Sequence, residues 1–268
     1  MSVAPDLACA AEVVRARGLA IGSPLEVLDE TSSTNDVAKR AAKLGAPHGA
    51  VWVADAQTAG RGRQGRAWTA ARGEALLVSV LLRPTCAASR LPPVSLVCGL
   101  AARDAVARAV APGVDVRLKW PNDVLVDGRK VAGVLVEAMV AGSRVEGLIV
   151  GVGVNVHTRA FPPELARIAT SIALHAGDRQ PDRASLLADL LEGLARDVEL
   201  VASRGLGLVH ARLAAADALD GSRVRADTGE EGTASGIDLE GRLTVRRDDG
   251  AVVRWSAGEV HLVPPPGA

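Results

Sequence analysis

The stretch "ALLVSVLL", Ala75 to Leu82, is apolar without alternation. A half-buried strand alternates apolar and polar residues, so a continuous run of this kind reads as a central strand covered on both faces. "AVWVAD" and "VEGLIVGVGVNV" read as further strands, the first of them buried. A fold that covers such strands needs apolar material, and 48% hydrophobic residues in 268 supply it. With one Phe and no Tyr, that core must be mostly Ala, Val and Leu.

The other elements fall around these strands. Residues 5–17 read as a short Ala-rich helix, and "LEVLDE" as a strand. "TSSTND" starts a helix over "DVAKRAAKL", closed by Gly45. Residues 94–110 and 183–201 carry helical periodicity, while "VRLKW" reads as a strand. "DVLV" and "RKVAGVLVEAMV" form a hairpin turned at Asp127-Gly128. The Pro-containing segment "HTRAFPPELARIATS" is a loop. From Asp220 the texture changes to short strands punctuated by Glu240-Gly241 and Asp249-Gly250, the pattern of a small barrel-like β domain. The class is α+β: a mixed-sheet domain followed by a small all-β domain, with "PPPGA" as a tail.

Several classes are disfavoured. Basic and acidic residues balance at 31 each, so no global field draws the chain to nucleic acid or a membrane. Cys9, Cys86 and Cys98 are odd in number and lack CxxC spacing, which argues against a disulfide framework or structural zinc and suits a reducing cytoplasm. "MSVAPDLACAAEVVRARG" lacks a basic start and is interrupted by Glu12 and Arg15, unlike a signal peptide. The most apolar region, residues 131–150, contains Glu137, Arg144 and Glu146, unlike a membrane span. His48, His157, His175, His210 and His261 have no metal spacing, and no catalytic histidine stands out.

Two segments invite a chemical reading. "QTAGRGRQGRAW" places Arg61, Arg63 and Arg66 among Gly60, Gly62 and Gly65, between two strands. It fits a solvated loop, a nucleic-acid-binding Arg/Gly segment, or an anion cradle ordered by a phosphorylated ligand; its position between buried strands favours the cradle. In "LKWPNDVLVDGRKVAG", Pro121 ends the strand after Lys119 and Trp120, and Asn122-Asp123 begin a turn. Lys119 there is either an edge-strand charge that discourages aggregation or a compact cation for anionic oxygens. Only four of the 31 basic residues are lysines, Lys39, Lys43, Lys119 and Lys130, and Lys130 reads as surface charge unless context says otherwise. "SSTND" is explained well by helix N-capping, which is compatible with ligand binding. "GVGVNV" has only GxG and no following helix, so it is a poor dinucleotide fingerprint. Its glycines suit close approach of a ligand to the backbone, and Asn155 offers an amide.

Taken in order, "SSTND", "QTAGRGRQGRAW", "LKWPNDVLVDGRKVAGVLVE", "GVGVNV", "ATS" and "GTASGIDLEGRLTVRRDDGAVVRWSAGEV" resemble the biotin protein ligases, from about Leu25 to Leu262. The resemblance implies a mixed-sheet catalytic domain of the biotin/lipoate ligase type over residues 1–218, with a helical extension at 1–22, and an SH3-like β-barrel over 219–265. It implies ATP-dependent ligation of biotin to a lysine of a biotin carboxyl carrier protein through biotinyl-5′-AMP, with ATP and biotin as substrates and Mg²⁺ accompanying ATP. Lys119 and Arg63 match catalytic positions. Ser33, Thr34, Asn35, Gln57, Gly60, Arg61, Gly62, Arg63 and Lys119 match biotin-side positions. Arg63, Arg66, Trp68, Lys119, Asn122, Lys130 and Asn155 match nucleotide-side positions, and the metal ligands are left open. Some members carry an N-terminal DNA-binding module. The 32 residues before Ser33 leave little room for one, so the expectation is a monofunctional, cytoplasmic enzyme with no DNA and no membrane partner, whose assembly is open between monomer and homodimer. A lipoate or octanoate ligase on the same core, and a non-catalytic biotin sensor or repressor, are the rival readings.

Overall fold

A computed structural model describes residues 5–263. The tail "PPPGA" lies outside them. Two short helices, α1 (Pro5–Ala8) and α2 (Ala10–Ala16), replace the single one expected; they part at Cys9, whose ψ of 3° leaves the helical region. A seven-stranded sheet follows, built from β1 (Leu25–Thr31), β2 (Val51–Gln57), β3 (Ala75–Leu82), β4 (Val116–Lys119), β5 (Asp123–Val126), β6 (Arg129–Ala141) and β7 (Arg144–Asn155). Its order is β1-β2-β3-β7-β6-β5-β4. β1 and β2 are parallel and every other pair is antiparallel.

β3 is buried along its whole length, as its unbroken apolar run requires. One face is covered by α4 (Leu91–Ala109) and α5 (Arg183–Arg204); α3 (Thr34–Lys43) packs on the other through Ala38 and Ala42 against Trp52, Leu81 and Ile149. α4 starts three residues earlier than its periodicity predicts. Pro92 and Pro93 sit in its first turn, where a missing N–H costs no hydrogen bond. The Asp127-Gly128 hairpin is as expected, with φ of 46° and 75° at its two central residues.

After α6 (His210–Ala216), an element the sequence reading does not include, the chain enters a five-stranded antiparallel sheet. Its strands are β8 (Arg223–Ala226), β9 (Glu231–Ile237), β10 (Leu243–Arg246), β11 (Val252–Trp255) and β12 (Val260–Leu262), in the order β11-β10-β9-β8-β12. Val224, Ala234, Leu243, Val245 and Val260 fill its core. It is tied to the larger domain: buried Trp120 donates its indole N–H to Gly241 O at 3.0 Å, and His210 Nε2 meets Ile237 O at 2.7 Å.

Arg183 is a deeply buried charge, at 1% exposure. Its guanidinium forks onto Asp6 at 2.7 and 2.6 Å and donates to Asp55 at 2.8 Å and to Ala75 O at 3.2 Å. Burial raises the Asp6 carboxyl, but the hydrogen bonds and charge of Arg183 outweigh it and hold Asp6 below its ordinary value. The N-terminal helices are thereby pinned to β2, β3 and α5.

Asp217, between α6 and the β domain, is a buried carboxyl without a cationic partner among the described residues. Leu219 N donates to its Oδ1 at 2.9 Å, Oδ2 is buried with no partner, and burial pushes the group up to about 6. Between pH 3.8 and about 6 the native chain therefore holds a proton that the unfolded chain has lost, so stability falls as pH rises through this window and stays reduced above it. Asp217→Asn is expected to stabilise the protein at pH 7.5, by up to about 3 kcal/mol, and to give little difference at pH 4. Thermal melts of both chains across this range check it.

Candidate active site

Two rows of the sheet shape a trough. Leu77 pairs with Gly153 and Gly153 with Gly133; in the next row Ser79 pairs with Gly151 and Gly151 with Leu135. The missing side chains make room above the sheet. A Cβ on Gly153 would lie 2.5 Å from the Trp68 ring, and one on Gly151 would lie 2.2 Å from Asn35 Oδ1. The glycines of "GVGVNV" thus seat two of the chain's own side chains as well as lining a cavity of about 540 Å³.

At the cavity floor a chain of hydrogen bonds fixes the start of α3. Gln57 Oε1 accepts from Thr34 N at 2.7 Å and from Thr34 Oγ1 at 3.1 Å. The Ser79 hydroxyl lies 2.8 Å from Thr34 Oγ1 and 2.5 Å from Asn35 Oδ1, and Asn35 Nδ2 donates to Glu137 at 2.6 Å. Ser33 holds the N-cap position by its backbone, but its side chain makes no capping bond. The capping oxygen comes from Gln57 on β2, which corrects the simple N-cap reading of "SSTND". Ser79 and Glu137 were not among the sequence candidates. A lone serine inside "ALLVSVLL" is the signal that could have found the first.

The Gly/Arg loop folds back on itself. Gly62 N bonds Arg66 O at 2.7 Å and Trp68 N bonds Gly60 O at 2.9 Å. Gly60 is buried against Gln57 and the Trp68 carbonyl; it does not line the cavity. The three arginines diverge. Arg61 forks onto Asp36 of α3 at 2.7 and 2.6 Å, Arg66 pairs with Glu259 of the β domain, and Arg63 donates to neutral Asn122 Oδ1 at 3.2 Å. The Arg61 hydrogen bonds hold the Asp36 carboxyl below its ordinary value.

Of the sequence candidates, Ser33, Thr34, Asn35, Gln57, Arg61, Gly62, Arg63, Arg66, Trp68, Asn122, Lys130 and Asn155 all line this one cavity. Lys119 does not. It ends β4 at the sheet edge, yet its ammonium is not a solvated edge charge: burial pushes its pKa down, against the pull of Asp123, with Lys130 and Arg66 adding to the fall. Lys130, read from sequence as surface charge unless context intervened, does line the cavity. It pairs with Asp123 at 2.7 Å and its Nζ lies 5.7 Å from the Trp68 ring centroid. Among the described residues Arg63 and Lys119 have no carboxylate partner, and burial lowers the pKa of both. Four cations, Arg61, Arg63, Arg66 and Lys130, thus line the cavity against two carboxylates, Glu74 and Asp123. That balance suits an anionic ligand.

Comparison with known proteins agrees with this geometry. Residues 27–155 match the model of the biotin/lipoate A/B protein ligase family, and residues 221–263 match the biotin protein ligase C terminal domain. The chain is 39% identical over 249 residues to the biotin--[acetyl-CoA-carboxylase] ligase of Mycobacterium tuberculosis, covering 89% of each. The chain belongs to the biotin protein ligase family. The bifunctional ligase/repressor BirA of Bacillus subtilis is 34% identical over 242 residues, covering 88% of this chain and 74% of that one. The biotin protein ligase from Aquifex aeolicus, solved in complex with biotin and ATP, superposes with a TM-score of 0.76 at 28% identity, covering 91% of this chain and all of that one. Both family segments are represented in the site, since Arg66 of the ligase segment meets Glu259 of the C-terminal domain.

The glycine trough of this ligase family member is open to a direct check. Gly153→Ala is expected to cost about 1–3 kcal/mol by crowding the indole. Adding Trp68→Ala in the same chain should recover most of that loss, as denaturant titrations of the single and double variants would reveal.

Proposed function

We propose that this chain ligates biotin to a lysine of a biotin carboxyl carrier protein. The supporting observation is a single cavity that joins a polar floor, Thr34, Asn35 and Gln57, to a wall of four cations. A biotin carboxylate oxygen attacks the α-phosphorus of ATP, the bond to pyrophosphate breaks, and biotinyl-5′-AMP forms. The neutral amine of the acceptor lysine then attacks the acyl carbon, AMP leaves, and the amine proton passes to solvent. Both reactants of the first step are anions, so fixed cations lower their repulsion and stabilise the charge that develops.

The ureido head of biotin carries donors and an acceptor, which the Thr34–Gln57 group can meet; a plain acyl chain would have no use for them. The nucleotide lies toward Trp68, Lys130 and Asn155. Arg63 serves the junction of the two substrates from the cavity wall, and Lys119, at the end of β4 outside that wall, is assigned beside it because neither cation has a carboxylate partner among the described residues. Mg²⁺ arrives with the triphosphate. Of the two cavity carboxylates, Asp123 is paired with Lys130 and Glu74 is held through one oxygen by Thr158, so the phosphates of the nucleotide would supply most of the ion's oxygen ligands. The proposed partner is a carrier protein and the proposed compartment the cytoplasm, with no role for DNA; no described helix is long and apolar enough to cross a membrane.

Mass spectrometry of a carrier fragment incubated with the protein, biotin, ATP and Mg²⁺ tests the activity, with a biotin-sized mass increase expected. A carrier left unchanged with biotin, while a parallel incubation with lipoate in place of biotin modifies its acceptor, would reject it. Lys119→Met separates function from structure. Pyrophosphate release is expected to fall by about 10²–10³. Stability should hold or rise, because the ammonium removed is unpaired and desolvated. Near-normal turnover would reject the assignment.

A further inference from the structure

Glu74 is a carboxylate in a cavity otherwise arranged for anions. Of the two carboxylates on the wall, Asp123 is paired with Lys130, whereas Glu74 has no cation partner among the described residues. It is held firmly. Its backbone oxygen accepts Val156 N at 2.9 Å and His157 N at 2.8 Å, and its Oε2 accepts from buried Thr158 Oγ1 at 2.9 Å. Its Oε1 takes no hydrogen bond from the described residues.

A fixed negative charge repels a triphosphate or a biotin carboxylate, and with one oxygen already taken by Thr158 the remaining oxygen is suited to accept from a neutral N–H donor. Its surroundings say which. Glu74 leads directly into Ala75, which pairs with Asn155 at the end of β7. Thr158 opens the segment whose Phe161 and Leu165 form an apolar side of the same cavity. A carboxylate that shares a cavity wall with apolar side chains can meet the edge of a flat ring packed against them. The ureido head has its own partners at the Thr34–Gln57 floor.

We propose that Glu74 is a specificity-determining residue whose free carboxylate oxygen accepts a hydrogen bond from the exocyclic amine of the adenine ring. This rests on the ligase reading above, which supplies the nucleotide.

The test is a cycle of two nucleotides and three proteins: ATP and purine riboside 5′-triphosphate, which has hydrogen in place of the amine, with wild type, Glu74→Ala and Glu74→Gln. Each ratio is internal to one protein, so a partly folded fraction divides out. In wild type, kcat/KM for pyrophosphate release should favour ATP by about 10- to 100-fold, the range of a hydrogen bond to a charged group. Glu74→Ala should bring the ratio near one, and Glu74→Gln should keep part of it, because the amide oxygen still accepts. An equal preference for ATP in wild type and Glu74→Ala overturns the inference. The same ratios taken from direct nucleotide binding without biotin test Glu74 even if no biotin is transferred, so failure of the ligase reading and failure of the Glu74 assignment give different results.

Discussion

Arg61, Arg63, Arg66 and Lys130 are drawn against one cavity, where unanswered repulsion would push the glycine-rich loop outward. Three of the four are restrained by carboxylates set at different points of the fold: Asp36 on α3, Glu259 in the β domain and Asp123 at the start of β5. The loop itself is held by two of these pairs, Arg61 with Asp36 and Arg66 with Glu259, while Lys130 is fixed on β6. Arg63 is left with an uncharged partner, Asn122, so its charge is available to a ligand at little cost in broken ion pairs.

The cation wall works only because the opposite end of the cavity is fixed as well. The hydrogen bonds from Gln57 through Thr34 and Ser79 to Asn35 and Glu137 set α3 at a fixed height above the sheet. Asp36 rides on the first turn of that helix and carries the anchor of Arg61. One polar chain thus serves the cavity floor and, through α3, the loop that faces it. On the far side of the sheet, Arg183 ties the N-terminal helices to the strand ends that frame the same opening. Deep polar groups are satisfied here by partners distant in sequence, as burial demands.

Much of this could be read from the chain. The unbroken "ALLVSVLL" and the short strands after Asp220 gave away the two sheets, because burial on both faces and turn spacing leave direct marks on local sequence. Twelve of the candidate residues line one cavity, and among them Arg61, Arg63, Arg66 and Asn122 sit beside recognisable punctuation, glycines or Pro121. What local reading could not reach was pairing across distance. Gln57 capping α3 spans 23 residues, and Asn35 with Glu137 spans 102. Which of two lysines faces the cavity depends on how β4, β5 and β6 register, and "LKWPNDVLVDGRK" does not carry that information. The prolines in the first turn of α4 misled because the same residue breaks a helix in its middle and is tolerated at its start.

The hydrogen bond from Trp120 to Gly241 has a mechanical consequence. Trp120 opens the turn that holds Asn122 and leads to Asp123 at the start of β5, and Gly241 sits in a tight bend of the small β domain. Force applied to either segment is transmitted to the other through a rigid bicyclic ring rather than a pliant linker. The terminal domain is therefore a buttress for the reaction chamber, and loosening it would be felt first where the arginine loop meets asparagine.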